Sequence, residues 1–235
     1  MALWIKRVLG VLLLIFALLT GILFVFFNED VPDGHSPQKA DEIANKMLKS
    51  LNNEAYQDSR YLEWSYRGGR NNYIWDKEMG KVEMSWGDYT GEIDLVNPSN
   101  SSVKEGEEQI LGEEKEKLVK EAISNFNNDS FWLVAPFKIF DKGTKRAVVD
   151  LDDEKIGLKV TYTLGGDTPG DTYVWELNEK YLPERFRMWV QILPLKGLGA
   201  TWEGWDLTES GALLPQYHKV GPLKLDLGTV RARKD

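Results

Sequence analysis

Residues able to do chemistry are few in this chain, and they are scattered. It has two histidines, His35 and His218, and no cysteine. A nucleophilic triad needs a histidine base, and no G-x-S-x-G serine accompanies either one. Zinc and copper sites draw on clusters of His or Cys that the chain does not hold. Asp150, Asp152, Asp153 and Glu154 lie close enough together to be compared with a calcium loop. The glycine and terminal Glu of that pattern are missing, so the stretch reads as a solvated hairpin turn between Val149 and Ile156. The acidic run over 105–116 reads as a solvated loop and helix start. Glu203 and Asp206 flank Trp202 and Trp205, as paired carboxylates do in glycoside hydrolysis, but their spacing puts them on opposite faces of a strand. The glycines within 165–170 lack the Lys-Ser/Thr of a phosphate loop. These residues predict no catalytic centre, no metal and no cofactor, and a protein that is not an enzyme.

Aromatic side chains are the excess. Trp, Tyr and Phe number nine each. Trp64, Trp75, Trp86, Trp132, Trp175, Trp189, Trp202 and Trp205 nearly all fall on candidate strands. A filled core accounts for any one of them, but eight are more than one small core ordinarily uses. A curved sheet with an incompletely filled interior of Trp, Phe and Met would suit an acyl chain, at about 0.8 kcal/mol per buried CH₂. The candidate cargo-binding residues are Trp64, Tyr66, Met84, Trp86, Trp132, Phe137, Trp175 and Trp189.

The elements that must position them begin after an unusual leader. Residues 8–27 are an uncharged, mostly aliphatic run, preceded by Lys6 and Arg7 and followed by Glu29, Asp30 and Asp33. At 1.5 Å per residue the run is as long as a bilayer core is thick, about 30 Å, and too long for a signal-peptide core. It ends Phe24-Val25-Phe26-Phe27, poor for a signal peptidase, and no cysteine follows to carry a lipid. The expected division is 1–7 cytoplasmic, 8–27 an uncleaved transmembrane helix, 28–36 a linker and 37–235 one exported domain. The positive-inside rule places that domain on the non-cytoplasmic side of the membrane. Beyond residue 27 lie 27 bases and 37 acids, net −10, which excludes a protein that coats nucleic acid by bulk positive charge.

Ser36-Pro37 reads as an N-cap followed by proline at the first helical position. Ala40, Ile43, Ala44, Met47, Leu48 and Leu51 then recur at helical steps until Asn52-Asn53. Leu62, Trp64 and Tyr66 alternate with Glu63, Ser65 and Arg67, and Val82, Met84 and Trp86 with Lys81, Glu83 and Ser85, as on strands with one apolar face. Residues 97–112 read as a polar loop. A second helix follows over 113–127, with Leu118, Val119, Ala122, Ile123 and Phe126 on one face. The segment 131–137 has no clear period. From Thr144 onward the pattern is a meander, with Phe186, Met188, Val190 and Ile192 on one side of a strand and Trp189 on the other.

Asn128-Asp129-Ser130-Phe131-Trp132-Leu133 with Pro136-Phe137, Gly170-Asp171-Thr172-Tyr173-Val174-Trp175, Leu182-Pro183 and Met188-Trp189 resemble an uncharacterised envelope family of the lipoprotein carrier and acceptor superfamily. The resemblance spans roughly residues 38–230. It implies a strongly curved antiparallel sheet, a half-barrel, with two amphipathic helices on its concave face. The transmembrane helix read over 8–27 departs from the soluble carrier and the lipid-anchored acceptor, and the expected fold as a whole is α+β. That family has no established biochemistry to carry over. With the aromatic excess and the two helices, the expected function is to hold or transfer a lipid or lipoprotein acyl chain near the inner membrane of a Gram-negative cell, from a periplasmic domain. The alternatives are a non-catalytic envelope scaffold that binds protein or glycan, and a glycan-active enzyme with paired carboxylates. An apolar cavity of a few hundred Å³ under the helices separates the first from the second.

Overall fold

The computed structural model describes residues 4, 5, 7–14, 28–152, 155–165 and 168–235. The expected membrane span over 8–27 is overturned: among the described residues no helix is long and apolar enough to cross a membrane. Helix is described over 7–14, about 12 Å at the standard rise, and 15–27 lie outside the described residues. The single-pass topology, the signal anchor and the inner-membrane placement rested on that span, and the described residues do not support them.

Helix α1 (Pro37–Ser50) forms where expected and buries Ala40, Ile43, Ala44 and Met47, the i, i+3, i+4, i+7 stripe. Ser36 does not cap it with its side chain; the residue is left-handed (φ 46°) and its Oγ lies 3.0 Å from His35 Nδ1. Asn52 breaks the helix in a left-handed conformation (φ 54°), and the chain restarts as α2 (Asn53–Asp58).

A single half-barrel does not follow. The strands form an antiparallel sheet of seven, an antiparallel sheet of five and two ribbons. In chain order the first sheet holds β1 (Tyr61–Tyr66), β2 (Asn71–Asp76), β3 (Lys81–Trp86), β4 (Tyr89–Asp94), β5 (Ser102–Glu105) and β6 (Glu108–Gln109). The polar loop expected over 97–112 supplies β5 and β6. Gly91 permits the close approach of β4 and β5, since a Cβ there would lie 2.4 Å from the Ser102 carbonyl oxygen.

Helix α3 (Gly112–Val134) is longer than expected and absorbs Phe131, Trp132, Leu133 and Val134. Pro136 lacks an N–H, and the chain passes into a 3₁₀ turn over Ala135–Lys138. The second sheet holds β7 (Thr144–Asp150), β8 (Ile156–Tyr162), β9 (Thr172–Leu177), β10 (Pro183–Trp189) and β11 (Leu198–Thr201). The ribbons are β12 (Asp206–Leu207) with β13 (Leu213–Leu214), and β14 (Tyr217–Val220) with β15 (Leu223–Asp226). Finally β16 (Arg231–Arg233) returns to pair with β1, Leu62 opposite Ala232.

The sheets separate because β11 and β1 never pair. A ladder of backbone hydrogen bonds spans the seam instead: Gln216 N–H to Glu203 O (3.0 Å), Leu227 N–H to Gln216 O (3.0 Å) and Ser65 N–H to Leu227 O (2.9 Å). One hydrophobic core lies between the two sheets, α1 and α3, from Leu62 and Met84 to Val160 and Phe186.

Candidate functional site

Six of the eight residues read as a cargo lining, Trp64, Tyr66, Met84, Trp86, Phe137 and Trp175, are buried in that core, and Trp132 packs half-buried against it. Trp189 lies elsewhere. With Val149 and Val174 it forms a small cluster on the opposite face of the five-stranded sheet. The alternation of Met188 with Trp189 already required this, since neighbours on a strand point to opposite faces.

Several of the seven are in ring contact with aromatic neighbours. Trp64 stacks on Tyr73 with ring centroids 4.6 Å apart, and both meet Phe126. Phe137 stacks on Tyr56 at 3.9 Å, Trp132 meets Phe186 at 5.6 Å, and Trp175 meets Trp202 at 5.0 Å. Rings at these separations are in packing contact. The indole N–H groups of Trp64, Trp75, Trp86, Trp175 and Trp202 are buried without a hydrogen-bond partner.

Polar ties fix the two halves of the interior. Asp129 of α3 is fully buried and accepts hydrogen bonds from Tyr73 Oη (2.7 Å), Asn71 Nδ2 (2.8 Å) and Asn128 Nδ2 (2.8 Å). Burial, with that carboxylate as the second cause, pushes the Tyr66 phenol up to about 12. His218 is fully buried, with Nε2 2.7 Å from Trp132 O and Nδ1 2.9 Å from Thr201 O. Burial outweighs those carbonyls and pushes its imidazole down to about 4. Burial also lowers the Lys77 ammonium to about 8, where it sits over the Tyr56 ring and donates to the Tyr56 carbonyl.

Of the other residues considered for chemistry, the structure brings His35 and Asp150 together. His35 lies at the edge of the second sheet, 3.3 Å from Asp150. Glu203 accepts from Thr201 Oγ1 (2.7 Å) and Lys219 Nζ (3.0 Å), which hold it below the usual carboxylate range. Asp206 is exposed and accepts from the Leu207 amide. Asp153 and Glu154 lie outside the described residues, as do Gly166 and Asp167 of the glycine loop. Among the described residues no group of three or more His, Asp and Glu could hold a metal ion.

The open concavity lies where no site was expected, on the polar face of the seven-stranded sheet. It encloses about 870 Å³. The register draws two rows of side chains across its floor. One runs Glu63, Ile74, Glu83, Glu92, Ser102; the other runs Ser65, Asn72, Ser85, Thr90, Lys104. Trp64, Tyr73 and Met84 border it from positions between these, with their side chains in the core on the other face. Glu63 is held by Arg233 (2.9 Å) and Glu92 by Lys81 (2.9 Å). Glu83, exposed between them, has no ion pair among the described residues. A second hollow of about 490 Å³ lies by the start of α3, among Tyr89, Glu113, Glu114, Lys117, Leu118 and Glu121. The signal for the larger hollow was in the alternation, whose polar half has the look of an ordinary solvated face.

The fold is therefore a two-sheet antiparallel β protein, with helices on the shared apolar core and a polar hollow on one outer face. No protein-family model matches the chain, and no curated protein does. Among solved structures it is similar to a DUF1329 family protein from Desulfovibrio piger ATCC 29098, at 11% identity and a TM-score of 0.42, covering 84% of this chain and 93% of that one. That protein is a weak structural neighbour, and neither a family nor an activity follows from the likeness.

Proposed function

We infer that this is a non-catalytic binding protein whose ligand lies in the hollow of the seven-stranded sheet, and that the ligand is a basic, extended segment of another polypeptide. The observation that carries this reading is the position of the hollow, on the face of the sheet away from the aromatic core and lined by carboxylates and hydroxyls. The row Glu63, Glu83, Glu92 sets carboxylates on β1, β3 and β4, with Glu83 free of an ion pair among the described residues, and Ile74 of β2 gives an aliphatic footing among them. The parallel row of Ser65, Asn72, Ser85 and Thr90 offers hydrogen-bond partners to a backbone. The rings bordering the hollow point away from it, which favours a peptide over a stacked sugar. Titration with a labelled lysine- and arginine-rich peptide, a neutral peptide and a neutral oligosaccharide tests it. The expected result is binding of the basic peptide alone, weakened by salt and by about tenfold in Glu83→Gln/Glu92→Gln. Binding of the oligosaccharide instead, or of nothing, overturns it.

A second reading, hydrophobic cargo inside the core, is favoured by the five unpartnered indole N–H groups. Each buried, unpaired donor costs about 1–3 kcal/mol. Ester or phosphate oxygens of a lipid entering between the helices and the sheets would relieve that cost. Delipidated protein incubated with membrane lipids and weighed by native mass spectrometry tests it; failure to acquire any lipid sinks it.

A further inference from the structure

Residues 28–36, expected as a linker, lie across the outer face of the five-stranded sheet. At the β10–β11 end Glu29 N–H donates to Lys196 O (3.1 Å), and Lys196 N–H donates to Asn28 Oδ1 (3.1 Å). Trp189 Nε1 donates to Glu29 O (2.8 Å), and Arg187 Nη1 to Glu29 Oε2 (3.0 Å). Over β8, Lys159 Nζ donates to Pro32 O (2.6 Å). At the far edge His35 pairs with β7 as a strand would, through two 2.8 Å bonds with Val148. The floor beneath is apolar, made of Val149, Val174 and Trp189.

This is how a sheet holds an extended peptide: main-chain bonds at an edge strand, an apolar floor, and charges that set the register. The floor is ringed by cations, Arg187, Lys159 and Lys196, while the segment carries Glu29, Asp30 and Asp33. Its hold is thin. All of its residues except Pro32 are exposed, and the Arg187–Glu29 pair is open enough to water to contribute little. Fit at one point is close: a Cβ on Gly34 would lie 2.5 Å from Ala147 Cβ.

We propose that the outer face of the five-stranded sheet is a peptide-binding face for acidic extended segments, occupied in cis by residues 28–36 and opened to a segment of another polypeptide when they lift. Tethering gives the resident segment a high effective concentration, so a free competitor is excluded until the strap is displaced. This face lies on a different sheet from the polar hollow, and the two proposals stand or fall separately.

The test uses the full chain and a labelled peptide with the sequence of residues 28–36. Gly34→Val forces a branched side chain against Ala147 and lifts the strap while leaving the floor intact. The expected result is peptide binding about 100-fold tighter to Gly34→Val than to the unaltered chain, lost again when Arg187→Glu is added. A folded Gly34→Val chain, with unchanged circular dichroism, that binds no peptide overturns the proposal. So does equal binding of a scrambled peptide of the same composition. Should Gly34→Val fail to fold, hydrogen exchange on the unaltered chain decides. Exchange of the His35 and Val148 amides well before that of Trp175 supports a strap that lifts; exchange of all three only on global unfolding overturns it.

Discussion

On β3 buried Val82, Met84 and Trp86 alternate with Lys81, Glu83 and Ser85, whereas on β9 four consecutive residues, Thr172, Tyr173, Val174 and Trp175, are all buried. The seven-stranded sheet leaves one face to water, and that face is hollowed and polar. The five-stranded sheet is covered on both faces, by the core on one side and by residues 28–36 on the other. A continuous apolar run within a strand signals a cover on each side, just as clean alternation signals a single cover. The contrast locates the two proposed binding faces. One is open from the start; the other is already filled by the chain itself.

The largest effect should come where the two sheets share material. Trp175 is fully buried between Phe186 (5.1 Å) and Trp202 (5.0 Å). Trp175→Ala is expected to cost about 4 kcal/mol in urea unfolding. A loss below about 1 kcal/mol would mean that the sheets are not joined by one core.

His218 sharpens the same point at the seam. Its pKa is about 4 in the folded chain against 6.5 as the ordinary value. Between those values the unfolded chain holds the extra proton, so stability rises with pH across that window. It is complete above about pH 6.5 and falls as pH drops towards 4, by up to about 3 kcal/mol. Urea midpoints taken across that range check it. The slope should flatten in His218→Gln, and an unchanged slope assigns the loss to other groups.

The smallest effects test the contrast between outer faces directly. Val174→Ala, under the strap, is expected to cost about 2 kcal/mol. Ile74→Thr, on the open face, should stay within about 0.5 kcal/mol. Equal costs in thermal unfolding would erase the distinction between a covered and an open sheet.

What the sequence made legible follows the same division. Helix α1 and strands β1 and β3 were readable because each has a single buried face, and a period of 3.6 or 2 survives intact. The end of α3 was not, because Phe131, Trp132, Leu133 and Val134 pack against neighbours on several sides and Pro136 mimics a loop. Division into two sheets was hidden, since it depends on where Gln216 and Leu227 bond across the seam. The strap read as a linker because its grip is largely backbone, which leaves little trace in side-chain type. The aromatic residues were legible as a buried set, but the ring contacts among them were not, because sequence counts rings and cannot place them.

The return of β16 to β1 has a consequence for how the protein is made. Arg233 and Glu63, which pair in the finished sheet, are 170 positions apart. The β1–β5 meander can form early in synthesis, yet β1 keeps a bare edge until Arg231, Ala232 and Arg233 leave the ribosome. Until then Tyr61, Leu62 and Glu63 offer unpaired backbone to any neighbouring nascent copy. Residues 231–233 act as the seal on the first strand, and a chain that stopped before them would be released with that edge open.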